Sequence, residues 1–288
     1  MTNDGAYRQK IEDYIKNMPS LPTSVAKVLE ICNNPQTSPA DLNHVISLDP
    51  VLVGRVLKLI NSAYYSLGQQ VTSLVRAIIM LGINTVKNLA LSSSVVGNLS
   101  ANKTAAGLNM EGFWRHSLCV GVAAKAIAKK RNIDPKQLEE YFAAGLLHDI
   151  GKIPLNAVLA NDYMLTVSSS DRDRLSLVRA EDRVLGINHC SAGAMIVKAW
   201  KLEGAVGDTI MYHHNHTDYD ESHRDLLYTI ILANRFALET ETGFSGDMHP
   251  EKPGPSIWEA LAIKPEIFDE IAPGVSGEIE KAEIFLKL

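Results

Sequence analysis

YFAAGLLHDIGK, residues 141–152, runs aromatic and aliphatic side chains straight into a histidine–aspartate pair. Together with Leu138, the residues Tyr141, Phe142 and Gly145 form one helical stripe, and His148 and Asp149 close it. An imidazole and a carboxylate on a core-facing stripe cost several kcal/mol unless they find partners, roughly 2–7 kcal/mol for an unbonded polar group. The stretch therefore predicts a helix that delivers polar groups to the interior.

On either side of it, apolar residues recur at helical spacing almost throughout, and no run alternates with period two for more than a few residues. The chain reads as all-α. Val25, Val28, Leu29 and Cys32 mark one helix, preceded by Ser20 and Pro22. Ser38-Pro39 and Asp49-Pro50 each place a capping residue before a proline suited to the first helical turn. The stripe Leu52, Val56, Leu59 and Ala63 follows, and a further helix begins after Thr72 and stops near Gly82.

GNLSANKTAAGLNMEG at 97–112 is rich in small and polar residues and predicts a boundary near residue 105. It divides an N-terminal helical lobe, 1–105, from a helical domain with closing helices, 106–288. Helices are expected at 110–131, 137–149, 189–201, 205–215 and 224–241. SSSDRDR at 168–174 reads as a surface loop, and MHPEKPGP at 248–255 leads into two or three short closing helices.

Composition narrows the function. At 46% hydrophobic and 21% charged residues, the 288-residue chain is built to fold. Its net charge of −5, with no long basic run, argues against nucleic acid as a partner. The sequence shows neither a signal peptide nor an apolar run of the ~20 residues needed to span a bilayer, so the expectation is a cytoplasmic protein without a membrane partner. Cys32, Cys119 and Cys190 are too few and scattered for a disulfide framework or a thiolate zinc site, and they read as buried thiols.

Of nine histidines, five fall with Asp149 on core-facing positions of the second half. His116 is in register with Val120, Ala123 and Ile127; His189 continues into Ala192, Gly193 and Ile196; His213 and His214 end a helix whose inner side is Val206 and Ile210. Inward polar groups on several helices must satisfy one another or share a cation. Nitrogen and carboxylate donors suit a first-row divalent ion, and Asp149 could bridge two. His44, His216, His223 and His249 lie in polar contexts and are set aside.

The order His116, His148-Asp149, His189, His213-His214 resembles the HD superfamily of metal-dependent phosphohydrolases. HDIGK at 148–152, EDRVLGINHCSAGAMIVKAW at 181–200 and IMYHH at 210–214 resemble its HDOD branch. LPTSVAKVLEICNNP at 21–35, ISLDPVLVGRVLKLINSAYY at 46–65 and VTSLVRAIIMLGINTVKNLAL at 71–91 resemble that branch's N-terminal region. The resemblance covers about residues 15–240.

By analogy with the related HD-GYP phosphodiesterases, it implies one ion among His116, His148, Asp149 and a late aspartate, and a second among Asp149, His189, His213 and His214. Asn234 stands at the place of the late aspartate, so the first set lacks a charge. NHTDYD at 215–220 lacks the Gly-Tyr-Pro signature of the cyclic di-GMP branch.

The expectation is a bacterial signal-transduction output module with a partly preserved site for Fe, Mn, Zn or Ni, in one or two ions or only weakly held. Its partner would be a signalling protein or an upstream receiver or sensor domain, with a nucleotide as a further ligand. The alternatives are a metal-dependent phosphohydrolase or phosphodiesterase acting through Asp149 and Lys152, and a metal-free scaffold. Lys152 reads equally as a phosphate-holding group or a surface lysine, and Glu181 either supports a ligand or, by preference, is a solvent-facing helix charge.

Overall fold

The computed structural model describes residues 4–99, 107–219 and 222–288. Six helices come first: α1 (Asp4–Asn17), α2 (Thr23–Cys32), α3 (Pro39–Ser47), α4 (Pro50–Ile60), α5 (Leu74–Leu81) and α6 (Ile83–Leu99). After the undescribed residues 100–106 follow α7 (Met110–Lys130), α8 (Leu138–Leu147), α9 (Lys152–Val158), α10 (Ala160–Asp173), α11 (Leu177–Leu185), α12 (His189–Trp200), α13 (Ala205–Tyr212) and α14 (Arg224–Glu239). Two more, α15 (Pro255–Leu261) and α16 (Ile267–Ala282), close the chain with a final 3-10 turn. No strand occurs among the described residues. The boundary expected near 105 lies outside them.

Local chemistry explains the helix starts. Ser38 accepts from the Asp41 amide while the Asp41 carboxylate accepts from the Ser38 amide, a reciprocal capping box. Asp49 accepts from the Leu52 amide at 3.0 Å. Gly82 ends α5 at φ +89°, a conformation that a side chain would resist. The stripe expected through Ala63 stops earlier, because α4 ends at Ile60 and is capped by Asn61.

SSSDRDR corrects the expectation of a loop. Residues 168–173 are the last turns of α10, where hydroxyls of Ser168 and Ser169 bond back to the Met164 and Thr166 carbonyls. Such bonds let a serine-rich segment stay helical. The closing helices are also not all short, since α16 has 16 residues.

The long helix α7 is the axis of the second half, contacting α8, α14 and α16. It crosses α8 at Gly121 and Gly145, where a Cβ on Gly145 would lie 2.7 Å from the Gly121 Cα. Only glycine permits that approach, and it brings His116 of α7 near His148 at the end of α8. The N-terminal helices join the same core: α6 packs on α8, and α1 on α9 and α12. Between the halves, the Lys125 ammonium pairs with the buried Glu139 carboxylate and sits 4.3 Å from the Tyr64 ring centre.

Candidate metal centre

Three of the imidazoles, those of His148, His189 and His213, reach the centre with Nδ1 already committed. His148 Nδ1 donates to the Gly145 carbonyl at 2.7 Å, a bond available because the residue follows the last turn of α8. His213 Nδ1, one turn beyond Thr209 at the end of α13, donates to the Thr209 carbonyl at 2.9 Å. His189 Nδ1, in the first turn of α12, lies 2.5 Å from Glu181 Oε2. Fixing the proton on Nδ1 leaves the Nε2 lone pair facing inward.

Those lone pairs converge. His189 Nε2 and His213 Nε2 are 3.3 Å apart and lie 3.4 and 3.5 Å from Asp149 Oδ1. His148 Nε2 is 3.2 Å from Asp149 Oδ2. His148, Asp149, His189 and His213 are at most 4% exposed, yet His148 Nε2 and Asp149 Oδ1 have no hydrogen-bond partner. Buried acceptors facing one another repel unless a positive charge sits among them. His213 responds accordingly: burial works against its charge, but Cys190 and Asp149 favour the proton and push its pKa up to about 9. A proton is the smallest cation that this cluster can gather, and the donor set fits a divalent ion better.

Two donor groups emerge, His189 with His213 and His214, and His116 with His148 and Asp149. His214 is half-buried and stands 4.4 Å from the His213 ring, centre to centre. Asn234 of α14 occupies the position anticipated for an acid and puts its Oδ1 3.0 Å from His116 Nε2. The amide oxygen accepts there, so the His116 proton is on Nε2 and is aimed at Asn234. Burial, reinforced by His148, lowers the His116 pKa to about 3 and keeps the ring neutral.

Lys152 is buried rather than on the surface. Its Nζ donates to Asp149 Oδ2 at 2.6 Å and to the Ser245 carbonyl at 3.0 Å. Burial alone would raise the Asp149 pKa, but His148 and Lys152 together hold it well below the carboxylate range. The first turn of α9 can lie so close because Gly151 packs against the His189 carbonyl, where a Cβ would collide.

Glu181 is fully buried on the inner face of α11, which corrects the preferred reading of a solvent-facing charge in favour of the ligand-supporting one. It accepts from the His189 amide at 2.9 Å and the Tyr163 hydroxyl at 2.8 Å, besides facing His189 Nδ1. Burial lifts its pKa to about 7. Its sequence neighbours Leu177, Val178, Ala180 and Leu185 are all buried, so the stripe was present, but its donors come from α10 and α12. Ser245 and Asp247 carried no sequence signal, because their burial depends on the chain folding back after α14 onto α7 through the Phe244 amide and Gly112 carbonyl.

Beside His213 and His214 lies a chamber of about 60 Å³, lined also by Asn234 and Arg235 and roofed by residues 250–253.

With this geometry in view, the HDOD domain family matches residues 18–216. The chain belongs to the HDOD family. Similar in fold to this HDOD chain is an HDOD domain protein of unknown function from Geobacter sulfurreducens, 23% identical, with a TM-score of 0.75 over 97% of this chain and 98% of that one. A candidate signal transduction protein of Marinobacter aquaeolei VT8 is 22% identical, with a TM-score of 0.74 over 99% of this chain and 67% of its own. A candidate phosphohydrolase of Shewanella amazonensis SB2B is 24% identical, with a TM-score of 0.69 over 96% and 98%. An uncharacterized protein of Treponema pallidum (strain Nichols) is 25% identical over 81% of this HDOD chain, which spans 45% of that relative's length. Among the described residues, no single helix is long and apolar enough to cross a membrane.

Proposed function

We propose that this HDOD chain is a metal-binding regulatory module that passes a conformational state to a signalling partner, rather than an efficient hydrolase. The observation that carries this reading is the enclosure of the centre. Asp149 is 1% exposed and already holds the Lys152 ammonium, and the chamber beside His213 and His214 is about 60 Å³. Pockets that bury a drug-sized ligand run to roughly 300–1,000 Å³. An ion and a water or two fit, and a nucleotide does not.

The residues divide the work. His148, Asp149, His189, His213 and His214 would hold the ion, with Glu181 and the Gly145 and Thr209 carbonyls keeping the imidazole protons on the outer nitrogens. Lys152 ties Asp149 to the Ser245 carbonyl, so movement at the centre is transmitted to the segment after α14. A divalent ion there would supply Lewis acidity toward a phosphate ester. Asn234 withholds the negative charge a second ion would need. A partner domain agrees with the 45% and 67% of their own lengths that the Treponema and Marinobacter relatives share with this chain.

The deciding experiment is elemental analysis of protein purified without chelator or a nickel column, followed by a phosphoester and nucleotide panel with added Mn²⁺ or Fe²⁺. The expected result is about one divalent ion per chain, lost in Asp149→Ala, with no turnover. Asn234→Asp should raise the metal content. Turnover abolished by Asp149→Ala would replace the regulatory reading with the phosphohydrolase one, and protein that takes up no ion would remove both.

A further inference from the structure

A second cavity backs onto the first. It is a groove of about 460 Å³ walled by Arg179 and Asp182 of α11, Asn188, Cys190 and Ser191 at the start of α12, and Met211, Tyr212, His214 and Asn215. Two residues line both spaces, His214 and Glu251. The large groove is therefore separated from the metal centre's small chamber by one imidazole and one carboxylate.

Glu251 belongs to an extended strap, 248–254, whose two ends are fixed. Ser245 and Asp247 are buried on one side and Ile257 is buried on the other. Its middle is held by surface contacts: Glu251 Oε1 lies 2.5 Å from Arg179 Nε and 3.4 Å from Ser176 Oγ, His249 Nε2 is 3.1 Å from Asp171, and Arg235 reaches the Pro250 carbonyl at 3.4 Å. Arg179 and Glu251 are 67% and 46% exposed, so their attraction is screened and a competing anion can exchange for the carboxylate.

We propose that Glu251 is a built-in carboxylate plug, standing where a phosphoryl group would meet Arg179, so that binding a phosphorylated ligand and lifting the strap are one event. This rests on the metal-binding reading above and supplies its input signal. Arg179 pairs with the carboxylate, Arg235 and Lys252 line the adjoining chamber, and guanidinium binds phosphoryl oxygens at least as well as carboxylate. With Glu251 displaced, the phosphoryl end of such a ligand would sit on Arg179 at the edge next to His214, and the rest of it would lie in the groove of about 460 Å³, outside the small chamber. No bond is broken, and one anion replaces another on Arg179.

The test uses full-length protein loaded with Mn²⁺, inorganic phosphate as the probe read by paramagnetic broadening of its ³¹P signal, and the rate of Mn²⁺ extraction by a chelator. Glu251→Gln should bind phosphate roughly two- to fivefold more tightly than wild type, the range an exposed ion pair commands, and release Mn²⁺ faster. Arg179→Gln should release Mn²⁺ faster but bind phosphate more weakly. The charge swap Arg179→Glu with Glu251→Arg should restore slow release. Equal phosphate affinity in wild type and Glu251→Gln, or extraction rates indifferent to all three, would overturn the plug while Mn²⁺ binding stands. Wild type that retains no Mn²⁺ would instead fell the metal reading and the plug with it.

Discussion

Helices α2 to α5 and the histidine centre solve the same problem, where to put polar groups, in opposite ways. The early helices keep them at their ends, on Ser38, Asp49 and Ser73, where each side chain caps a backbone amide near solvent. The inner faces are Val25, Val28, Leu42, Ile46, Val56 and Leu59, all without exposure. The centre instead buries four imidazoles, two carboxylates and an ammonium within a few side chains of one another. The first arrangement stabilises at no electrostatic cost, whereas the second costs desolvation and is worth keeping for what it binds.

The largest effect should separate the two at Lys152. Lys152→Met leaves the buried Asp149 carboxylate without its ammonium and with only imidazoles beside it, and in chelator-treated protein it should cost about 3–5 kcal/mol in urea unfolding. Adding Asp149→Leu should recover much of that loss. A single mutant within about 1 kcal/mol of wild type would mean that water already solvates Asp149.

Leu59→Ala should cost about 2–5 kcal/mol by leaving a cavity in α4, with metal content per folded chain unchanged. Lost metal would show that the two regions are energetically one.

The smallest effect is at a cap. The Ser24 hydroxyl, and then the Leu52 amide, hold the Asp49 carboxyl below its ordinary range. Its stabilisation is thus present above the unfolded carboxylate pKa of about 3.9 and fades as pH falls through the lower folded value. Asp49→Ala should cost about 0.5–2 kcal/mol at neutral pH, and the difference from wild type should shrink in acid melts.

The same contrast governs what the sequence makes legible. Caps and stripes are local, so Ser38-Pro39, Asp49-Pro50 and the all-α architecture could be read directly. His116, His148, Asp149, His189 and His213 were legible because helical periodicity alone turns them inward, and the structure brings them together. Asn234 is set beside His116 only through the family resemblance, which expects a late aspartate there, and the structure puts its Oδ1 3.0 Å from His116 Nε2. For Glu181 the less favoured of two readings is the right one, because its partners Tyr163 and His189 are brought to it only by tertiary structure. Lys152 looked ambivalent because the Ser245 carbonyl that receives its ammonium comes from 93 residues away. The strap over the chamber has no periodicity at all, and its prolines announce only that it is not a helix.

The crossing of α7 and α8 at Gly121 and Gly145 has a reach beyond packing. His116 and His148 ride on those helices with ring centres 5.8 Å apart. A methyl group at either glycine would act as a shim, pushing one helix off the other and widening that span. The bore of the centre is gauged by two hydrogen atoms where every other residue would place carbon.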